Sequence, residues 1–302
     1  MKITEKEWFI EAPWGRLCIV AWGHCYKPPV LLCHGHKDSI VSFRPLIKQL
    51  PKDFYYIGVE LPGNGKSDPF PPGLLMNFYD LVYCLEVVIK HFRWETVMFL
   101  GHSAGASVGL LYDFCIPGKM SRLILLDPVT ATVQPDAFAQ WYKRTYQALF
   151  DDFDYYNNQT ERRPVYTRQE ALGKLLKVDG MSEELAEANL QRMTEDAGRG
   201  TLRFKSDQRY MLIAAAPFTP DQLKGLCMRS KAQVLVFATS SSLQLGKYSK
   251  TQFLIDESIP NYRARQLEAH HNIHMSPPAM VVTAVSQFLL HGPEGLGAKA
   301  KL

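Results

Sequence analysis

The chain has 302 residues, of which 46% are hydrophobic and 12% aromatic, so it can bury an ample core and is expected to be an ordinary globular protein. Its formal charge of +4 is spread along the sequence with no run of five like charges, which gives no electrostatic case for nucleic-acid binding. The charged start MKITEKEWFIEAPWG lacks the apolar core of a secretory signal, and no stretch approaches the ~18 uninterrupted apolar residues of a membrane span, so we expect a soluble, intracellular protein.

The first part of the chain alternates short apolar runs with helical patterns. A hairpin is predicted around APWG, and buried strands are predicted at PPVLLC, FYYIGV, ETVMFLG and SRLILL. Helical periodicity is found around Phe43, Leu46 and Ile47, in NFYDLVYCLEVVIKHF and in ASVGLLYDFC. Near-continuous apolar strands that alternate with helices are typical of a mostly parallel sheet with helices on both faces. The sequence therefore predicts an α/β fold.

The pattern changes between Val129 and about Cys227, where helical segments rich in aromatic residues replace the strands. Strands resume at AQVLVFAT and YRARQLEA, with a helix predicted near residues 250–257 and a last amphipathic helix at 279–290. We therefore predict an α/β core made of residues 1–128 and 228–302, with residues 129–227 inserted as a helical cap.

Six cysteines are distributed mostly within the predicted strands and helices. They form no CxxC pair and no His/Cys spacing of the kind that binds zinc, so we expect reduced thiols buried in the core, without disulfides and without a metal. These cysteines are Cys18, Cys25, Cys33, Cys84, Cys115 and Cys227.

The segment GHSAG, residues 101–105, fits a nucleophile elbow, the sharp turn from a strand into a helix that exposes a reactive serine. Gly101 and Gly105 supply the small residues that such a turn needs, because a Cβ at these places would meet neighbouring backbone. A serine that merely caps a helix would not need glycine on both sides. The pattern predicts Ser103 as a nucleophile.

An oxyanion site is predicted near the same strand ends. In LLCHGHKDS, His34 and Gly35 follow a strand and would direct the backbone N–H of His36 into the space above the sheet. The N–H of Ala104, at the start of the helix after the elbow, supplies a second donor. His34, Gly35, His36 and Ala104 are therefore the predicted oxyanion and substrate-binding residues, whereas Asp38 is expected to orient the loop.

The base is expected late in the chain, where LEAHHNIHM follows the last predicted strand. We favour His271 as the base, with His270 and His274 as flanking structural or pocket residues.

The acid is harder to assign, because the strand after the inserted segment ends in serines, at TSSSL, instead of Asp or Glu. Asp127, at the end of LILLDP, is the preferred acid; Glu60, Asp256 and a dyad with no acid remain alternatives.

These motifs resemble the α/β-hydrolase superfamily and, more narrowly, the serine hydrolase-like proteins of animals. The resemblance extends over nearly the whole chain and is carried by APWG, HGHKDS, LPGNGKSD, GHSAGA, LLDP, DQR at residues 207–209 and HMSPP. Animal triglyceride lipases are similar in having a triad acid in a Leu-Asp-Pro stretch, which supports Asp127. His36, where relatives usually have a larger aromatic residue, and Asn64, where they usually have histidine, depart from the pattern.

The predicted activity is that of a serine hydrolase that cleaves a carboxylic ester or thioester with a hydrophobic acyl group through an acyl-enzyme, without a cofactor. Aromatic residues of the cap would line an apolar pocket if they face the sheet, although aromatic residues at helical spacing in an insertion more often form the core of the cap itself. The alternatives are a ligand-binding protein that has lost turnover and a triad enzyme with a lyase-type reaction.

The last three residues, Ala300, Lys301 and Leu302, form a conservative variant of the Ser-Lys-Leu peroxisomal address. The peroxisomal import receptor is therefore an expected partner. We expect the protein in peroxisomes, with a cytoplasmic pool as the alternative.

Overall fold

An eight-stranded sheet is the frame of the protein in the computed structural model, which describes residues 4–130, 132, 135–157, 163–213 and 218–297. In chain order, the strands are β1 (Glu5–Ala12), β2 (Gly15–Trp22), β3 (Pro29–Cys33), β4 (Tyr55–Val59), β5 (Val97–His102), β6 (Met120–Leu126), β7 (Val165–Thr167), β8 (Thr194–Gly198), β9 (Thr201–Phe204), β10 (Gln233–Thr239) and β11 (Tyr262–Leu267). The order across the sheet is β1-β2-β4-β3-β5-β6-β10-β11. Within this sheet, β2 pairs antiparallel with both neighbours and all other pairs are parallel, which confirms the mostly parallel sheet.

Helices connect the strands and also make up much of the inserted segment. They are α1 (Arg44–Ile47), α2 (Phe78–His91), α3 (Ala104–Cys115), α4 (Phe138–Tyr142), α5 (Ala148–Asp151), α6 (Phe153–Asn157), α7 (Arg168–Leu175), α8 (Glu183–Met193), α9 (Pro220–Arg229), α10 (Ser240–Gln244) and α11 (Ala279–His291). Short 3₁₀ turns lie at Ile40–Phe43, Pro135–Ala137, Gln208–Leu212, Gln252–Leu254 and Gly292–Leu296, and a π-helical turn lies at Lys143–Gln147.

The central strands are buried on both faces, as β3 illustrates. Leu31 and Cys33 pack into the core that contains α2 and α3, whereas Val30 and Leu32 pack into the core that contains α1 and α11. All four side chains have no exposed surface. Since successive side chains of a strand point to opposite faces, an unbroken apolar run requires helices on both sides of the sheet.

The inserted segment contains strands as well as the predicted helices. β7, β9 and β8 form a small antiparallel sheet in the order β7-β9-β8. These strands are three to five residues long and mostly half-exposed, so their sequences show neither an apolar run nor a clear alternation. The inserted segment, predicted as a helical cap, therefore also contains a small sheet that the sequence did not indicate.

Two further predictions differ from the structure. The helix expected near 250–257 is only the turn Gln252–Leu254, because its buried residues are adjacent in sequence and form no stripe with helical spacing. Cys25 and Cys115 are exposed, while the other four cysteines are buried as expected.

Buried polar contacts join the inserted segment to the sheet. Arg192, near the end of α8, donates to Glu60 Oε1 at 2.7 Å and to Glu7 Oε2 at 2.5 Å. The side chains of Arg192 and Glu60 are 6% and 0% exposed. On the same helix, Asn189 Oδ1 accepts a hydrogen bond of 2.7 Å from Ser39. These contacts fix α8 against β1, the end of β4 and the loop after β3.

Arg209 forms a second anchor, in the DQR motif. Its guanidinium donates to Asp207 and to the backbone carbonyl oxygens of Phe70, Pro71 and Leu74. The motif therefore ties the end of the inserted segment to the loop between β4 and α2.

Two expectations from the sequence concern a membrane span and the peroxisomal address. Among the described helices, none combines the length and the apolar character needed to cross a bilayer. Ala300, Lys301 and Leu302 lie outside the described residues. The peroxisomal address therefore stays a prediction.

Candidate active site

The turn between β5 and α3 holds Ser103 in a strained backbone conformation, with φ 53° and ψ −121°. A Cβ on Gly105 would lie 2.4 Å from the carbonyl oxygens of Cys33 and His34, and a Cβ on Gly101 would lie 2.7 Å from the backbone of Ala106. The two glycines therefore allow the turn to pack directly against β3 and α3. This is the elbow geometry expected from the sequence.

Three predicted side chains meet above the carboxyl ends of the strands. His271, in the loop after β11, places Nε2 2.9 Å from Ser103 Oγ and Nδ1 2.5 Å from Asp127 Oδ2. Asp127 directly follows β6 and is 1% exposed. The structure thus brings together the serine, the histidine and the carboxylate proposed from the sequence, with the imidazole hydrogen-bonded to both of the others.

Asp127 is held by several hydrogen-bond donors besides His271. Thr239 donates from its backbone N–H and its hydroxyl at 3.1 and 2.8 Å, Ser242 donates at 2.5 Å, and Tyr248 donates at 2.9 Å. Burial raises the pKa of Asp127, but the hydrogen bonds from His271 and the neighbouring hydroxyl groups outweigh it and lower the pKa to about 2. Asp127 therefore remains an ionised acceptor, which keeps the proton of His271 on Nδ1 and directs Nε2 toward Ser103.

The residues that hold Asp127 lie where the sequence lacks the expected late acid. Thr239 ends β10 and Ser242 lies in α10, both within the segment TSSSL. The hydroxyl of Ser242 also accepts a hydrogen bond of 3.1 Å from Lys247 Nζ. Sequence reasoning missed Thr239, Ser242, Lys247 and Tyr248; the run of hydroxyl residues was the available signal.

The alternative acids are occupied elsewhere. Glu60 is fully buried and accepts hydrogen bonds from Arg192 and from the backbone N–H of Lys66. Asp256 accepts a hydrogen bond from the backbone N–H of Ser258. Among the described residues, Asp127 is the carboxylate bonded to His271.

The predicted oxyanion loop packs against the nucleophile, because a Cβ on Gly35 would lie 3.2 Å from Ser103 Cβ. Gly35 and His36 line the cavity at Ser103, and Ala104 begins α3, where backbone N–H groups have no acceptor within the helix.

His34 does not line the cavity at Ser103. Its Nδ1 donates to the carbonyl oxygen of Gly35 at 2.8 Å and its Nε2 accepts from Leu61 N–H at 3.0 Å. Both ring nitrogens of His34 therefore brace the loop that carries the backbone N–H of His36.

Three further histidines, His102, His270 and His274, lie close to His271. His102 Nε2 donates to the backbone carbonyl oxygen of His271 at 3.0 Å. His274 is fully buried between the rings of Phe43 and His102, with centroid distances of 4.8 and 4.0 Å. His270 accepts a hydrogen bond from the backbone N–H of Asn272. These contacts fix the loop that carries His271.

A cavity of about 160 Å³ opens at Ser103 and His271. Leu175, Met181 and Met193 of the inserted segment supply apolar side chains to its wall. The aromatic residues of that segment instead pack against one another, in pairs such as Phe138–Trp141 and Tyr142–Tyr146. The aromatic pocket considered from the sequence is therefore replaced by aliphatic and methionine side chains.

Comparisons with known proteins identify the family and the fold. The family model described as "alpha/beta hydrolase fold" matches residues 28–213. Serine hydrolase-like protein 2 of Homo sapiens is 30% identical over 295 residues, which cover 93% of this chain and 92% of that protein.

Solved structures show a similar fold. A hypothetical protein of Pseudomonas aeruginosa superposes with a TM-score of 0.82 at 23% identity, covering 94% of this chain and 99% of that one. A thioesterase domain from the curacin biosynthetic pathway superposes with a TM-score of 0.76 at 18% identity, covering 93% and 99% of the two chains. At these identities the likeness is one of fold.

Proposed function

The chain belongs to the α/β-hydrolase family and is similar to serine hydrolase-like proteins over most of its length; on that premise we propose that it hydrolyses carboxylic esters or thioesters with a short hydrophobic acyl group. One observation carries the proposal. His271 lies within hydrogen-bond distance of both Ser103 Oγ and the buried carboxylate of Asp127. A serine hydroxyl gains nucleophilicity when a base of this kind can accept its proton.

In the proposed reaction, Ser103 Oγ attacks the substrate carbonyl carbon while His271 Nε2 accepts the hydroxyl proton. Backbone N–H groups of His36 and Ala104 would stabilise the oxyanion of the tetrahedral intermediate. His271 then donates the proton to the leaving alcohol or thiol, and the acyl group remains on Ser103. Water, deprotonated by His271, attacks the acyl-enzyme and releases the acid and the free serine.

The substrate class is argued from the cavity wall. Leu175, Val178, Met181, Met193 and Met275 present apolar surface beside Ser103. A volume of about 160 Å³ is below the ~300 Å³ at which ligand pockets usually begin, so it suits a short acyl chain better than a fatty acid. The flexible thioether side chains can adapt to acyl groups of different shapes.

The test is covalent labelling of the full chain with a fluorophosphonate probe. We expect labelling of the wild type and none of Ser103→Ala, while Ser121→Ala, which removes an exposed serine of β6, labels like the wild type. Hydrolysis of p-nitrophenyl butyrate should have a higher kcat/KM than hydrolysis of the palmitate ester.

Absence of labelling in the folded wild type would contradict the proposal and favour a ligand-binding protein without turnover. Labelling at Ser103 without hydrolysis of any short ester or thioester would instead favour a lyase-type reaction.

A further inference from the structure

Three side chains belong to the walls of two cavities at once. Val178, Met181 and Met275 line the cavity at Ser103 and also line a second cavity of about 830 Å³. We call the first the inner cavity and the second the outer cavity, and the three residues that they share the partition. Since each of these residues has surface in both cavities, the partition is one side chain thick at these places.

The outer cavity opens to solvent and is larger than the inner cavity. Its wall includes Lys48 and Glu184, whose side chains are largely exposed, and the buried side chain of Leu185. Its volume is well above the ~300 Å³ at which ligand pockets usually begin, whereas the volume of the inner cavity, about 160 Å³, is below it. Room for a long chain therefore exists on the far side of the partition from Ser103.

The partition joins the inserted segment to the loop that carries the base. Val178 and Met181 lie in the turn between α7 and α8, where Met181 N–H donates to the carbonyl oxygen of Val178 at 3.1 Å. Met275 lies in the loop after β11. Asn272 of that loop donates from Nδ2 to the carbonyl oxygen of Asp179 at 3.0 Å, and its own carbonyl oxygen accepts from Met275 N–H at 3.0 Å. These hydrogen bonds hold the two halves of the partition together.

Gly180 brings the backbone of one half directly against the other half. It has φ 83°, and a Cβ on it would lie 2.9 Å from His270 Cε1 and 3.3 Å from Met275 Cβ. Glycine is therefore needed for the turn to pack this closely against the loop. The side chains of Val178, Met181 and Met275 continue the separation from this contact. A change of one of them to alanine removes part of the separation and leaves the backbone contact in place.

We propose that the partition sets the upper limit on the length of the acyl chain, and that the outer cavity receives the end of a longer chain once the partition is shortened. The proposal deepens the proposed hydrolase function and rests on it. The acyl group is assigned to the inner cavity because the wall beside Ser103 is largely apolar. A chain that fills this cavity ends against the partition, and a longer chain has to displace packed side chains. Without that obstacle, further methylene groups of the chain can be buried.

Hydrolysis of p-nitrophenyl butyrate and p-nitrophenyl octanoate by the full chain tests the proposal, because the leaving group is the same and only the acyl chain differs. The measured quantity is kcat/KM for the octanoate divided by kcat/KM for the butyrate. We expect this ratio to rise at least about tenfold in Met181→Ala and in Met275→Ala, since one methylene group of mismatch in an apolar pocket changes kcat/KM by about 10–200-fold.

Val178→Ala keeps the test decisive if a methionine variant fails to fold. Val178 is 37% exposed, so this change should cost little stability, and it should raise the ratio in the same direction. Thermal unfolding of each variant shows which of them are folded.

Two matched variants separate the partition from the rest of the walls. Met193→Ala makes the same chemical change at a residue that lines the inner cavity and not the outer one, so the ratio should rise less than in Met181→Ala. Leu176→Ala changes a residue that lines the outer cavity and not the inner one, so the ratio should stay at the wild-type value while the partition is intact. An equal rise in Met193→Ala and Met181→Ala would overturn the proposal, because the volume of the inner cavity would then set the limit.

Failure of the partition and failure of the hydrolase function give different results. An unchanged ratio in the folded partition variants, with butyrate still hydrolysed, overturns the partition alone. Faster hydrolysis of octyl butyrate relative to ethyl butyrate in these variants, with no gain for the octanoate, would place the alcohol in the outer cavity and overturn the assignment to the acyl chain. If the folded wild type hydrolyses no ester in a Ser103-dependent way, the hydrolase function is contradicted and the partition proposal falls with it.

Discussion

At the scale of single residues, Asp127 is held more firmly than His271 or Ser103. Its carboxylate accepts hydrogen bonds from Thr239, Ser242, Tyr248 and His271, so its two oxygens are fully engaged. An acid that cannot rotate can hold only one orientation of the imidazole. We therefore assign Asp127 the role of fixing the tautomer and orientation of His271, and of stabilising its charged form.

Replacement of this acid provides a direct prediction. Asp127→Asn should lower kcat about 10³–10⁴-fold, because an amide in this position can donate to His271 Nδ1 and favour the wrong tautomer. Steady-state hydrolysis of a short ester measures the effect. Ser242→Ala, which removes one donor to the carboxylate and leaves the charge, is the comparison and should cost far less. An unchanged rate in Asp127→Asn would remove Asp127 from the mechanism.

The same carboxylate should make stability depend on pH. Its pKa is about 2 in the folded protein against an ordinary value of 3.8, so the unfolded chain takes up the proton first as the pH falls. Asp127 thus stabilises the fold fully above about pH 4, and this contribution disappears as the pH falls toward 2.

Urea unfolding measures this effect. Relative to Asp127→Asn, the free energy of unfolding of the wild type should fall by about 1 kcal/mol between pH 7 and pH 3. Asp53→Asn, at an exposed carboxylate, is the control. If the free energies of unfolding of the wild type and of Asp127→Asn differ by the same amount at both pH values, the prediction is contradicted.

Local patterns in the sequence were informative about some site residues and silent about others. The spacing of GHSAG and its place between an apolar strand and a helix predicted the turn at Ser103. The partners of Asp127 were out of reach, because Thr239 and Ser242 are 112 and 115 residues away and meet it only through the pairing of β6 with β10. The bracing role of the His34 ring was also out of reach, because its partner Leu61 is 27 residues away in the sequence.

At the scale of secondary-structure elements, the elbow depends on how closely α3 approaches β3. Gly105→Ala should destabilise the protein by about 1–3 kcal/mol or more, because its Cβ would lie 2.4 Å from two backbone carbonyl oxygens that cannot rotate away. Thermal unfolding measures the loss.

Gly173→Ala in α7 is the matched control. No described atom lies within 4 Å of its added Cβ, so it should be neutral or stabilise by up to about 1 kcal/mol. Equal stability of the two variants would show that the helix can retreat from the strand.

The strands and helices of the core could be predicted because the burial that stabilises them also leaves a pattern of apolar residues in their sequences. Each central strand is a continuous apolar run, since it is buried on both faces, and each covering helix has an apolar stripe. β7, β8 and β9 are short and half-exposed, so their pairing is set by neighbours in the inserted segment more than by their own residues.

At the scale of the whole molecule, the ion pairs that join the inserted segment to the core differ in burial, and a buried pair can be compared with an exposed one. Arg192→Met should destabilise the protein by about 3–5 kcal/mol, because it leaves the fully buried Glu60 without its partner. Lys48→Met breaks the pair with Glu184, whose side chains are 64% and 84% exposed, and should cost under about 1 kcal/mol. Urea unfolding of both variants at neutral pH makes the comparison. If the two variants lose similar amounts of unfolding free energy, the buried ion pair of Arg192 and Glu60 does not stabilise the position of α8.

The position of the acid has a consequence for how such a protein can diversify. Ser103 and Asp127 both precede the inserted segment, and only His271 follows it. Residues 129–227 can therefore change in length and in sequence during evolution, and with them the substrate specificity. The part of the chain that carries both Ser103 and Asp127 stays unaltered by such a change. A change of substrate specificity and the retention of the proposed catalytic residues can thus depend on separate stretches of the sequence.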